Sequence, residues 1–183
     1  MAFATSGCGT GPNDRPVASI VDPVRTVGQL PVPAGFSESA GPAVATATAL
    51  EATLFADHDP KLAADFTDRG LLRAATRHFA AGSGGTLDVA VAVWRDHATA
   101  LASGDLTAQR AIDRTGAQAW NPSELRGAQG SEPTTAGPGV RTLARAIAQN
   151  ALFVRTTGSV SPTEAIRAMQ RLTRLTENSQ PGR

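Results

Sequence analysis

The densest group of side chains capable of acid–base or metal chemistry is Asp57-His58-Asp59, directly before Pro60. Carboxylates and an imidazole can hold a metal ion or transfer a proton, but both roles need further partners from elsewhere in the fold. No second set of ligands at a metal-binding spacing accompanies the cluster. We therefore interpret it as a polar turn whose aspartates cap backbone amides, and we predict no metal site.

The other two histidines, His78 and His97, lie on either side of the glycine-rich segment 82–85. If two antiparallel helices meet at that segment, the imidazoles lie roughly 10–12 Å apart, too far to share one metal ion. The segment could hold an anion at a helix start, but it lacks the lysine of a phosphate loop and follows a predicted helix. No serine lies in a Gly-x-Ser-x-Gly turn. We predict no catalytic residues and no cofactor.

Near the N-terminus, Ser6-Gly7-Cys8 follows a short, mostly apolar run. These eight residues resemble the end of a bacterial lipoprotein signal, in which small residues precede a cysteine that becomes the acylated N-terminus. The charged start and full apolar core of such a signal are absent, and Thr5 stands where a leucine-like residue is usual. The resemblance implies lipid attachment at Cys8 and a place on the outer face of a bacterial membrane. The alternative is a free thiol in a cytoplasmic, secreted or assembled protein.

The cysteine count and the apolar runs exclude certain kinds of site and a membrane span, and the charge is unevenly distributed along the chain. With one cysteine, no intrachain disulfide and no cysteine zinc site can form. Sixteen of the seventeen basic residues are arginine, a usage typical of a GC-rich genome. Residues 1–109 hold seven basic and eleven acidic residues, net −4, whereas residues 110–183 hold ten and five, net +5. No run approaches the ~20 apolar residues of a membrane span.

A partner surface is predicted in the basic half. Arg167, Arg171 and Arg174 recur at helical spacing, and Arg141 and Arg145 lie on the helix predicted before them. If the two helices pack antiparallel, both rows border one basic surface. It suits an acidic protein or an anionic headgroup better than DNA, because few residues reach for phosphates and no aromatic residues interleave the arginines. The alternative is that the arginines are isolated and solvated.

The elements that would position these residues are predicted to be helices. Leu87, Val91, Trp94, Ala98 and Leu101 follow one another at spacings of three and four. That spacing places them on one helix face, with Trp94 near the centre of the core. The glycines before Thr86 then supply the reversal of a helical hairpin.

The fold class that follows is an all-α bundle of five or six helices behind an extended, proline-rich N-terminal arm. Residues 1–41 are interpreted as a signal remnant and linker, 42–178 as the helical domain and 179–183 as a frayed tail. Residues 116–138 are interpreted as an irregular loop because of their glycines and prolines. The main helices of the bundle are predicted over residues 42–57, 70–81, 86–103, 140–156 and 161–178, and further short helices over 61–66 and 106–114.

Three classes of function remain open. The first is a non-enzymatic cell-envelope lipoprotein whose helical domain binds another protein. The second is an accessory or assembly subunit of a larger complex, with the N-terminal arm and the 116–138 loop as contacts. The third is a helical enzyme whose site is not visible in the sequence.

Overall fold

A seven-stranded antiparallel sheet, with helices on both faces, forms the centre of the computed structural model, which describes residues 20–55 and 59–179. The predicted all-α helical bundle is therefore wrong. The strands are β1 (Phe36–Val44), β2 (Leu71–Ala81), β3 (Thr86–Trp94), β4 (Gln118–Trp120), β5 (Ala128–Glu132), β6 (Arg141–Ile147) and β7 (Asn150–Thr156). The helices are α1 (Pro23–Gly28), α2 (Ala47–Leu54), α3 (Pro60–Asp68), α4 (His97–Thr115) and α5 (Pro162–Asn178). The sheet order is β1-β2-β3-β7-β6-β5-β4.

The predicted helix over residues 86–103 is a central strand followed by the start of α4. Leu87, Val89 and Val91 alternate with Ala90 and Ala92, and β3 pairs with β2 and β7. Successive side chains of a strand point to opposite faces, so the two sets enter different core clusters. Helices cover both faces of the sheet at this strand, so polar residues do not alternate with apolar ones along it. The sequence therefore does not show the two-residue period by which a strand is usually recognised.

Residues 140–156 form a hairpin of β6 and β7 rather than one helix. The two strands pair from Arg141 with Thr156 to Ile147 with Asn150, which leaves a two-residue turn at Ala148 and Gln149. Ala148 has a φ of 52°, in the left-handed region that glycine and asparagine enter most easily. Neither turn residue is one of the usual turn formers, so the sequence gives no sign of a reversal here.

The helices divide between the two faces of the sheet. On one face, α1 and α5 cover a cluster that includes Phe79, Leu152 and Met169. On the other face, α2, α3 and α4 cover a cluster built around Phe66 and Trp94. The burial of Trp94 is confirmed, although its side chain projects from a strand.

Residues 20–35 belong to the core of the domain. Val27 and Leu30 are fully buried. The buried side chain of Arg77 on β2 lies beneath α1 and donates from Nη1 to the backbone oxygens of Val27, Gly28 and Leu30. Its Nε and Nη2 donate to the Glu38 carboxylate on β1. The folded unit therefore begins well before the predicted boundary at residue 42.

Several local signals are confirmed. Ser161 caps α5 by accepting a hydrogen bond from the Glu164 amide, with Pro162 in the first turn. The glycine-rich segment 82–85 does reverse the chain, between β2 and β3.

Gly104 does not end a helix: α4 continues through it, and a Cβ there would lie 3.3 Å from the Ala144 side chain. The glycine lets α4 approach β6 closely.

The 116–138 segment contains two short strands, β4 and β5, and is less irregular than predicted. Trp120 ends β4 and packs against the cluster beneath α1 and α5. Among the described residues, no helix combines the length and apolar character needed to cross a membrane.

Candidate functional site

A row of polar side chains crosses the sheet on the face that carries α2, α3 and α4. Its members are paired across neighbouring strands, and we call them the polar row: His78 on β2, Asp88 on β3, Arg155 on β7, Thr142 on β6 and Ser131 on β5. Residues paired directly across antiparallel strands project from the same face. The pairing therefore brings residues up to 77 positions apart in sequence into one line.

Asp88 is the centre of a buried ion network in this row. Its carboxylate lies 2.9 Å from Nδ1 of His78 and accepts hydrogen bonds from Nη1 of Arg155 at 3.2 Å and from the Thr86 hydroxyl at 3.1 Å. The Asp88 side chain is 9% exposed and that of Arg155 12% exposed. A buried carboxylate is stable only when it is paired in this way, so the network ties β2, β3 and β7 together.

A small pocket opens beside the positive end of the network. It has a volume of about 60 Å³ and lies between the end of α2, the last turn of α4 and strands β6 and β7. We call it the Arg155 pocket. It is lined by Leu54, Phe55, Ala111, Arg114, Thr115, Val140, Thr142 and Arg155. The pocket thus combines an apolar wall with two guanidinium groups and two hydroxyls.

Arg114 is held at this pocket by the start of α3. Its Nη2 lies 3.4 Å from the Asp59 carboxylate, which Arg110 also binds. Asp59 caps α3 by accepting a hydrogen bond from the Lys61 amide. The hydrogen bond from Arg110 lowers the pKa of the Asp59 carboxyl below its ordinary value of 3.8. Asp59 therefore stays ionised and fixes the end of α4 against α3.

The histidines and glycines that the sequence singles out have structural contacts. Nδ1 of His97 lies 2.7 Å from the Ala148 carbonyl oxygen, in the turn between β6 and β7. Gly85 has a φ of 110°, and a Cβ there would lie 2.2 Å from the Thr157 carbonyl oxygen. That glycine permits a close backbone approach between the turn before β3 and the end of β7.

Asp57, His58 and Cys8 lie outside the described residues.

The five arginines of the predicted partner surface occupy two different settings. Arg167, Arg171 and Arg174 are exposed along α5, where Arg167 pairs with Glu164. Arg141 is buried on β6 and donates to the carbonyl oxygens of Val160 and Gly137. Arg145, on the same strand, donates to the Thr173 hydroxyl. Because residues 141 and 145 lie on a strand, the two-helix basic surface does not form. The α5 row is exposed, Arg145 is half-buried and Arg141 is buried.

Asp88, Thr142 and Arg155 were missed by the sequence analysis because each lies in a segment interpreted as a helix. One signal was available: Asp88 stands between Leu87 and Val89 in a long apolar run. A charge inside such a run is costly to bury unless it has a partner. Within residues 20–55 and 59–179, no three metal-ligating side chains come together.

No protein-family model and no curated protein matches the sequence. Among solved structures, the chain is similar to the crystal structure of the extracellular domain of PknH from Mycobacterium tuberculosis, with a TM-score of 0.54 and 9% sequence identity. The match covers 79% of this chain and 86% of that chain. At this identity the likeness shows a shared fold, a mixed α/β domain built on an antiparallel sheet.

Proposed function

We propose that the protein is a non-enzymatic binding domain that works on the outer face of a bacterial cell envelope. The observation that carries the proposal is the fold shared with the extracellular domain of PknH. A shared fold does not determine function, so the proposal needs a site of its own. The Arg155 pocket supplies one, because it joins an apolar wall to fixed polar groups, as small-ligand sites do.

Binding, rather than catalysis, is favoured by how the polar row is connected. A catalytic histidine and aspartate activate a nucleophile through the second ring nitrogen. Here the nearby Thr86 hydroxyl bonds to Asp88 and to Thr157 instead. The Ser131 and Thr142 hydroxyls bond to each other at 2.9 Å. These hydroxyls are therefore bonded to one another or to Asp88, and the Asp88 carboxylate also binds Nη1 of Arg155.

Attachment to the membrane is proposed through a lipid on Cys8, which resembles the modified cysteine of lipoproteins. The test is fractionation of the native full-length protein and a Cys8→Ser variant in a bacterial host. We expect the wild type in the membrane fraction, accessible to protease on intact cells, and the variant in the soluble fraction. Recovery of both proteins in the cytoplasm would overturn the proposed location.

A second candidate function is that of an accessory subunit that binds an acidic partner through α5. The specific observation is that Arg167, Arg171 and Arg174 all face solvent on one helix. Replacing all three by glutamate should abolish partner recovery in a pull-down without changing the urea melt. The matched control replaces three exposed arginines elsewhere, Arg73, Arg95 and Arg126, which gives the same change in net charge. Equal recovery with both triple variants would exclude α5 as the contact.

A further inference from the structure

The two layers of helices carry opposite net charge. Helices α1 and α5, which cover one face of the sheet, hold four arginines and two glutamates, net +2. Helices α2, α3 and α4, which cover the other face, hold three basic and five acidic residues, net −2. The domain is therefore polarised across its sheet, and an anionic partner is attracted mainly to the layer of α1 and α5.

The positive charge of this layer lies at its outer surface. Its four exposed arginines, which we call the basic face, are Arg25, Arg167, Arg171 and Arg174. Arg167 pairs with Glu164, whereas the other three form no ion pair among the described residues. The arginines of α5 extend over about 10 Å along the helix. The basic face therefore presents a row of cations whose charge is largely unpaired.

The basic face has no apolar anchor. The exposed large apolar side chains of the described residues lie outside α1 and α5, and they are Ile20, Val32, Val44, Leu72 and Leu101. Protein interfaces are usually centred on buried aromatic or apolar side chains inside a polar rim. An anionic bilayer needs no such centre, because each Lys or Arg near its surface strengthens association about fivefold by charge alone. A lipid surface therefore fits the basic face better than a protein does.

The N-terminal chain enters the domain on the same side. Val21 is buried in the cluster beneath α1 and α5, and its amide donates to the Asn150 side chain. Cys8 and Ile20 are twelve residues apart in the sequence, a stretch that spans at most about 43 Å. A compact domain of this size is about 40 Å across. A lipid on Cys8 therefore holds the membrane nearest to the basic face, because passing round to the other face would use the whole reach of the tether.

We infer that the basic face docks on an anionic lipid bilayer, with α5 against the headgroups. The helices on the other face of the sheet, and with them the Arg155 pocket, then point away from the membrane and stay open to a ligand. The inference deepens the proposed function and rests on it for attachment through Cys8. Its first test uses purified protein without a lipid, so failure of docking and failure of the proposed location are separate results.

The experiment is co-sedimentation of the purified Cys8→Ser protein with lipid vesicles. Vesicles of phosphatidylcholine alone are compared with vesicles that also contain anionic phosphatidylglycerol. The Debye length is about 30 Å at about 0.01 M salt and about 3 Å at about 1 M. We expect binding to the anionic vesicles at the lower salt concentration, and binding at least about tenfold weaker at the higher one or with neutral vesicles.

Charge variants test which face makes the contact. Replacing the three arginines of α5 by glutamine should weaken binding at least about tenfold, because each supplies part of the attraction. The matched control removes three positive charges around α3, on the other side of the sheet, through Lys61→Gln, Arg69→Gln and Arg95→Gln. It should bind as the starting protein does. Both triple variants are first checked for an unchanged urea melt.

Orientation is a second measurement that does not depend on variants. Cys8 is the one cysteine of the chain, so the wild-type protein can be coupled to a maleimide-bearing lipid in anionic bicelles. With a gadolinium chelate on the headgroups, the amide NMR signals of residues 167–174 should lose more intensity than those of α3. The reverse order would place the opposite face on the membrane and would overturn the inference.

Two results of the vesicle experiment would also overturn it. The first is a lack of binding to anionic vesicles at the lower salt concentration, and the second is equal weakening in both triple variants. A lack of vesicle binding together with an α5-dependent partner in the pull-down would assign α5 to an acidic protein instead.

Discussion

Trp94 is the core residue whose contribution to the free energy of unfolding is expected to be large. Its ring is fully buried at the end of β3 and meets the Phe66 ring edge-on, with centroids 5.7 Å apart. Trp94→Ala should lower the free energy of unfolding by about 3–5 kcal/mol, as large-to-small core changes do. The measurement is a urea melt, with Leu72→Ala as the control. Leu72 is 55% exposed, so its change should stay within about 0.5 kcal/mol. Equal effects would contradict the packing described.

Asp59 gives the α3–α4 contact a defined pH dependence. Its pKa is lowered in the folded state by Arg110, so the unfolded chain binds the proton more readily. The stabilisation is therefore complete above the ordinary value of 3.8 and is lost as the pH falls through the lower, folded value. Asp59→Asn should be less stable than the wild type at pH 7, and the difference should shrink below pH 3.8.

Urea midpoints at a series of pH values measure this effect. The control is Asp68→Asn, because Asp68 is exposed at the end of α3 and makes no ion pair among the described residues. Its midpoint should follow the wild type at every pH. A constant gap between Asp59→Asn and the wild type across the series would show that Asp59 acts through packing or capping alone.

Residue types alone identify little of the candidate site. Asp59 and His78 stand out in the sequence as chemical side chains. Asp59 forms an ion pair with Arg110, and Nδ1 of His78 lies within hydrogen-bond distance of Asp88. Asp88 and Arg155 acquire their roles only through strand pairing across 67 positions. No local spacing rule relates residues so far apart, so their association could not be predicted.

At the scale of elements, capping and turn chemistry predicted more than apolar periodicity did. The start of α5 follows from Ser161, Pro162 and Glu164 because those side chains act on their own backbone. The central strand β3 was misread because alanine alternates with valine there, and alanine is a strong helix former. Ala90 and Ala92 of β3 and Ala151 of β7 lie beneath α2 and α4, where closely packed helices leave little room.

The role of α1 can be tested by truncation. A chain that starts at residue 36 lacks the buried Val27 and Leu30 and leaves Arg77 without its three carbonyl acceptors. We expect it to lose cooperative urea unfolding, since removing α1 exposes the apolar cluster beneath it to water. A chain that starts at residue 20 keeps all of these contacts and is the control. Identical melts for both chains would mean that α1 is dispensable.

At the scale of the whole molecule, the edges of the sheet are unequal. β1 is a long edge strand with mostly exposed side chains, two register shifts and Pro42. Bulges and prolines discourage pairing with a second sheet. The other edge, β4, is three residues long. Neither edge is suited to adding a strand, so binding is better placed on the pocket or on α5.

The sheet order is what assembles the pocket. β7 lies between β3 and β6, so Asp88, Arg155 and Thr142 meet although they belong to three separate strands. An all-α bundle would separate these side chains, and the Arg155 pocket would not exist. The proposed binding site therefore depends directly on this pairing.

The most direct measurement is a three-dimensional NOE spectrum of the isotopically labelled protein. The described pairing predicts cross-strand NOEs from Arg155 to both Asp88 and Thr142. A continuous set of helical NOEs, from each residue to the third one after it, through residues 86–94 and 141–156 would contradict the sheet. It would remove the pocket together with the function proposed for it.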